Sequence, residues 1–143
     1  MTPLDPAYLG AIASQIATMS SVLGGFAITF FVTLLVFTEA GRAARLAIIA
    51  SACAAGLFIA AVGASVDVVI STHPGAPDAI HAESLDYSRI VAVLAFSGAI
   101  FALAFAIGAS GWMRSRVVGL ATSLAAGVSL FLFVSTLMVS PAS

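Results

Sequence analysis

The chain has 143 residues, of which 62% are hydrophobic and 8% charged, with a mean hydropathy of +1.18 and a formal net charge of −1. A soluble domain carries about 25% charged residues, so the composition leaves room for an integral membrane protein and very little else. The lone Cys53 excludes an intrachain disulfide and reads as a small buried packing residue.

Charge-free runs cover residues 6–38, 46–66, 90–113 and 117–143. Each reaches the roughly 18–20 residues needed to cross a hydrocarbon core. Outer-membrane strands would instead alternate in polarity over short segments, and no such alternation occurs. The expected fold is all-α: four transmembrane helices forming two antiparallel hairpins, packed as a single four-helix bundle over residues 1–143. The spans are predicted near 8–38, 46–71, 90–109 and 117–139, with an outer loop over 72–88.

The first run is the most patterned. Pro6 suits the first turn of a helix. At about 100° per residue, Ser14, Gln15, Thr18, Ser21, Gly25, Thr29, Thr33 and Glu39 fall within about a third of the circumference, whereas Ser20 and Gly24 lie outside that arc. A hydroxyl stripe ending in a carboxylate predicts a face turned to protein or water. Such a stripe can pack helices through weak hydrogen bonds, or it can line a path with Glu39 giving cation preference at the mouth. One stripe encloses no pore, so conduction would need several copies around an axis. Glu39 can also pair with Arg42, three residues on.

The turn at residues 38–45 (TEAGRAAR) is short and predicts an antiparallel hairpin. In the second helix, Ala52, Gly56, Ala60 and Ala64 recur every four positions, a spacing that suits close helix approach in lipid. Asp67 lies on nearly the same face as Gly56, Ala60 and Gly63 and is therefore expected to point inward. An ionisable group within a span is functional by default. Asp67 thus reads as a proton or cation site, or as a structural carboxylate capped by hydroxyls or Arg89.

Residues 72–88 form the sizeable polar segment, with turn signals at Pro74-Gly75 and Pro77 and a short surface helix allowed from Asp78 to Ser88. His73, Asp78 and His81 offer metal ligands or pH-titrating groups, although their spacing matches no defined metal motif. A solvated acidic loop is the plainer reading. The third and fourth helices repeat the four-residue pattern of small residues, at Gly98, Ala102, Ala106 and Ser110 and at Gly119, Ser123 and Gly127. A shift of 71 positions places Arg45 on Arg116 and Ala54-Ala55-Gly56 on Ala125-Ala126-Gly127. Either a duplicated hairpin or an Ala/Gly-rich composition produces such matches.

Arg42, Arg45, Arg114 and Arg116 lie in the two short turns, whereas the tails and central loop hold only Arg89 against Asp5, Asp78, Glu83 and Asp86. By the positive-inside rule, both termini face outward and the Arg-bearing turns face the cytoplasm, in what the composition suggests is a bacterial cytoplasmic membrane. Tyr8, Tyr87 and Trp112 then fall at interfaces. No catalytic triad, HExxH, CxxC or phosphate-binding glycine loop is present, so no enzymatic activity and no cofactor are expected, and the basic turns are too short for nucleic acid. The expected partners are the lipid bilayer, further copies of the chain meeting through small-residue helix faces, and a membrane partner protein. The leading functional expectation is a homo-oligomeric ion channel or pore lined by the first helix. The alternatives are an accessory subunit of a larger membrane complex, or a small proton-coupled transporter using Asp67.

Overall fold

A computed structural model describes residues 6–37, 41–73 and 82–139. These are 94% helical, with no strand among them. The helices are α1 (Pro6–Phe37), α2 (Arg42–Ser71), α3 (Ala82–Gly111) and α4 (Arg116–Val139). All four are long and apolar enough to span a membrane.

Local chemistry explains the helix ends. Pro6 opens α1, and Gly41 precedes α2 and accepts a hydrogen bond from the Arg45 amide through its carbonyl. The Ser115 hydroxyl accepts from the Val118 amide at 3.2 Å, an N-cap for α4. After α3, the amides of Trp112, Met113 and Arg114 donate to carbonyls three residues back, which tightens the turn. Helix α3 begins eight residues before the predicted span, because residues 82–89 contain no glycine or proline to separate a surface helix from the span.

The chain divides into two compact units, one built from Met1–Phe26 and Ala55–Ala99, the other from Ala27–Ala54 and Ile100–Ser143. In the first unit α1 and α2 run antiparallel. A Cβ on Gly24 would lie 3.2 Å from Phe58 Cβ, and one on Gly10 would lie 2.9 Å from Thr72 Oγ1. Both contacts have residue numbers summing to 82, which fixes the register. Phe58 is fully buried and meets Phe96 of α3 edge-to-face, with ring centroids 6.3 Å apart. Leu57 reaches within 3.4 Å of the Cβ position of Gly98.

In the second unit, α3 and α4 cross closely. Gly108 and Gly111 lie against Thr122 and Ser123, and the indole of Trp112 covers Gly119, where a Cβ would come within 2.7 Å of the ring. Trp112 Nε1–H donates to Ser123 Oγ at 3.1 Å. Elsewhere α4 is little covered: 6% of its span is buried, against 39% for α2.

The interior is made of small side chains. Among the described residues, twelve of the fifteen buried hydrophobics are alanine, the others being Leu34, Phe58 and Val68. Large apolar groups such as Phe26, Leu94 and Phe131 are exposed. A water-soluble core shows the opposite distribution; helices packing in lipid show this one. The buried positions of α2 are 44, 47, 50, 51, 54, 55, 58, 61, 65 and 68. Within them 44, 47, 51, 54, 58, 61, 65 and 68 step by alternating threes and fours, which averages about 3.5 and keeps the set on one side of the helix, with Ala50 and Ala55 beside it. Of the four-residue ladder Ala52-Gly56-Ala60-Ala64, expected to be the packing seam, the first three residues are exposed and Ala64 is half-buried, and Cys53 is exposed as well. A pure four-residue repeat advances about 40° per step and so winds off the contact face.

Two buried hydroxyls, Ser20 and Ser65, have no hydrogen-bond partner among the described residues. Such a group costs about 1–3 kcal/mol, so Ser20→Ala and Ser65→Ala should each raise stability by about 1 kcal/mol in detergent unfolding. Gly24→Leu should destabilise by about 1–3 kcal/mol through overpacking against Phe58. Gly56→Leu, where a Cβ meets nothing within 4 Å, should be neutral or slightly stabilising in the same assay.

Candidate functional site

Apart from Ser20, the hydroxyl and amide side chains of α1 are turned away from its packing seam. Ala13, Ser20, Gly24, Ala27 and Leu34 are buried, whereas Ser14, Gln15, Thr18, Ser21, Gly25, Thr29 and Thr33 are all exposed. Ser20 and Gly24, the two residues outside the predicted arc, thus belong to the contact face. From Ser14 to Thr33 the stripe covers 19 residue steps of one helix, about 28 Å, close to the ~30 Å of a hydrocarbon core.

Helix geometry satisfies much of the stripe internally. Thr18 Oγ1 donates to the Ser14 carbonyl at 2.9 Å, Ser21 Oγ to the Ala17 carbonyl at 2.8 Å, and Thr33 Oγ1 to the Thr29 carbonyl at 2.8 Å. This back-bonding lets a hydroxyl sit in an apolar medium without an unmet donor. What remains outward is oxygen lone pairs, hydrogen-bond acceptors spaced along one face. A Cβ on Gly25, at the middle of the stripe, would meet nothing within 4 Å.

Asp67 is exposed rather than tucked into a small-residue face. It falls one residue short of the buried position Val68 and so lies at the edge of the seam. Ser88 of α3 donates its hydroxyl to Asp67 Oδ2 at 2.6 Å, a short, charge-assisted bond that ties α2 to α3 within the first unit. Arg89 instead approaches Asp86 on its own helix at 3.4 Å, a loose, solvent-facing pair of little energetic weight. Of the two caps considered for Asp67, the hydroxyl is the one in place.

The His73 amide donates to the Ile70 carbonyl at 3.3 Å just past the end of α2, and its side chain is exposed. Glu39, Asp78 and His81 lie outside the described residues. Among the described residues no three metal-capable side chains come together. Sequence periodicity located the stripe; the feature it missed was the alternating three-and-four spacing from Ala44 to Val68, which would have placed Asp67 at the seam's edge.

Compared with known proteins, the chain matches no family model, no curated protein and no solved structure.

The Asp67–Ser88 bond can be isolated by a double-mutant cycle. Asp67→Asn, Ser88→Ala and the double variant should give a coupling energy of about 1 kcal/mol in detergent unfolding. Additive effects would mean that the bond does not hold α2 to α3.

Proposed function

We propose that the chain is a small integral membrane protein that assembles into a homo-oligomeric channel or pore, with α1 of each copy lining the path. The supporting observation is the exposure of the whole stripe from Ser14 to Thr33. A polar face of membrane-spanning length has no use against lipid, and a ring of copies would give it a common wall. Hydroxyl oxygens whose protons are already engaged present acceptors to a passing cation, and Glu39 at the end of the same arc would add a ring of carboxylates at the cytoplasmic mouth. The Asp67–Ser88 pair and the outer loop would then adjust entry.

A second reading is an accessory subunit that docks a larger membrane partner. The small-residue ladder at Ala52, Gly56 and Ala60 favours it, since that exposed face allows close approach of a foreign helix.

The oligomeric mass in nanodiscs comes first, then single-channel recording. A discrete symmetric oligomer is expected, with Glu39→Gln reducing cation preference. Gly25→Leu, whose Cβ would meet nothing within 4 Å, should keep wild-type helicity yet cut conductance about tenfold or more by narrowing the path. A monomer, or a Gly25→Leu variant that conducts like wild type, would sink the pore. Purification only with a second kind of chain would favour the accessory reading.

A further inference from the structure

The second unit contains an open-sided groove of about 660 Å³, walled by Leu46 of α2, Phe101 of α3, Trp112 of the turn after it, and Gly127 and Leu130 of α4. Its hydrogen-bonding side chains are Trp112 and Ser123; the indole N–H donates to Ser123 Oγ at 3.1 Å, which leaves the serine hydroxyl proton on an otherwise apolar wall. Along α3 and into the turn that follows it runs from Phe101 to Trp112, eleven residue steps, or about 16 Å, half the ~30 Å hydrocarbon thickness. Its length is that of one leaflet.

Charge gathers at one end. Ala43 also lines the groove, and it lies between Arg42 and Arg45 at the start of α2. Trp112, just past the end of α3, is followed by Arg114 in the turn and by Arg116 at the start of α4. All four arginines are exposed, and none has an ion pair among the described residues. Arginine binds phosphate bidentately and carries its charge at any physiological pH. Basic clusters beside membrane helices recruit anionic headgroups. An extended acyl chain, slimmer than a helix of about 10 Å diameter, suits an apolar groove one leaflet long with arginines close to its end in the chain.

We propose that this groove is a binding site for an anionic phospholipid, with an acyl chain along α3 and α4 and the headgroup phosphate held by the arginines of the two turns. The proposal rests on the membrane reading above. It requires neither an oligomer nor a pore. The lipid would cover the exposed rings of Phe101 and Phe105 and couple the turn arginines to the lipid composition of the leaflet.

The test reads membrane residence first, then lipid selectivity. Absence of the wild-type chain from the carbonate-resistant membrane fraction would overturn both the membrane reading and the lipid site. For the membrane-resident protein, native mass spectrometry with equimolar dioleoyl phosphatidylglycerol and dioleoyl phosphatidylcholine should show about tenfold more phosphatidylglycerol retained, as expected for several clustered arginines. The double variant Arg114→Gln/Arg116→Gln should bring that ratio within about twofold. Gly127→Phe, which builds a ring where a Cβ meets nothing within 4 Å, should strip both lipids. Ala126→Leu, on the same wall, should act in the same direction, and Gly63→Phe, far along α2, should change nothing. Circular dichroism of each variant reads retained helix. Equal retention of the two lipids, or full retention in both groove-filled variants, would overturn the lipid site alone. So would a dimer that Gly127→Phe dissolves, which would assign the groove to a second copy.

Discussion

Close approach of helix backbones is the constraint on which the rest of this molecule depends. Lipid offers helices no hydrophobic reason to leave it, so association must come from dense contact and from polar groups shared or sheltered between them. The chain meets that requirement with alanine, serine and glycine. Ala44, Ala47, Ser51, Ala54, Ala61 and Ser65 are buried along α2 with Phe58 as the large member, and Phe58 fits because Gly24 opposite it has no side chain. Enlarging the glycine pushes α1 off α2. Enlarging the alanines would do the same one turn at a time.

That packing rule determines where the polar residues go. With the seams reserved for small groups, the remaining hydroxyls of α1 fall on the outward side. Back-bonding to the preceding turn makes them tolerable there. It removes the donor but not the acceptor, so the face remains polar. The same logic separates Asp67 from the interior. A carboxylate on the seam would leave a buried charge, whereas one step off it the side chain stays exposed and takes a hydrogen bond from Ser88.

Helix number was legible in the sequence because each charge-free run is long enough to hold a helix of membrane-spanning length. The α1 stripe was legible for a related reason, its residues being the polar ones in an apolar run. The packing faces were harder to read. In a chain this rich in alanine and glycine, both the four-residue ladder Ala52-Gly56-Ala60 and the alternating set from Ala44 to Val68 look like seams. Only the second keeps a constant bearing along a helix of about 3.6 residues per turn. Asp67 points inward only by the ladder that begins at Ala52; by the set from Ala44 to Val68 it lies at the seam's edge. Polarity marks residues 82–89 as a boundary, but they hold no glycine or proline to break a helix, and α3 runs through them.

The α3–α4 hairpin adds a different solution to the same constraint and bears on its origin. Its crossing relies on Gly108, Gly111 and Gly119 with Trp112 and Thr122, and the indole lies over a bare glycine. Moved back by 71 positions, Trp112 falls on Gly41, Gly111 on Ala40, Gly119 on Ile48 and Thr122 on Ser51. No indole–glycine clamp results. If the hairpins share an ancestor, the contacts that hold the second together arose after the copies diverged. Those contacts also shape the groove, since Trp112 both covers Gly119 and forms the groove's end wall. Fixing the indole by its bond to Ser123 therefore does two things: it closes the crossing, and it engages the indole N–H of a groove otherwise lined by apolar groups and the Ser123 hydroxyl.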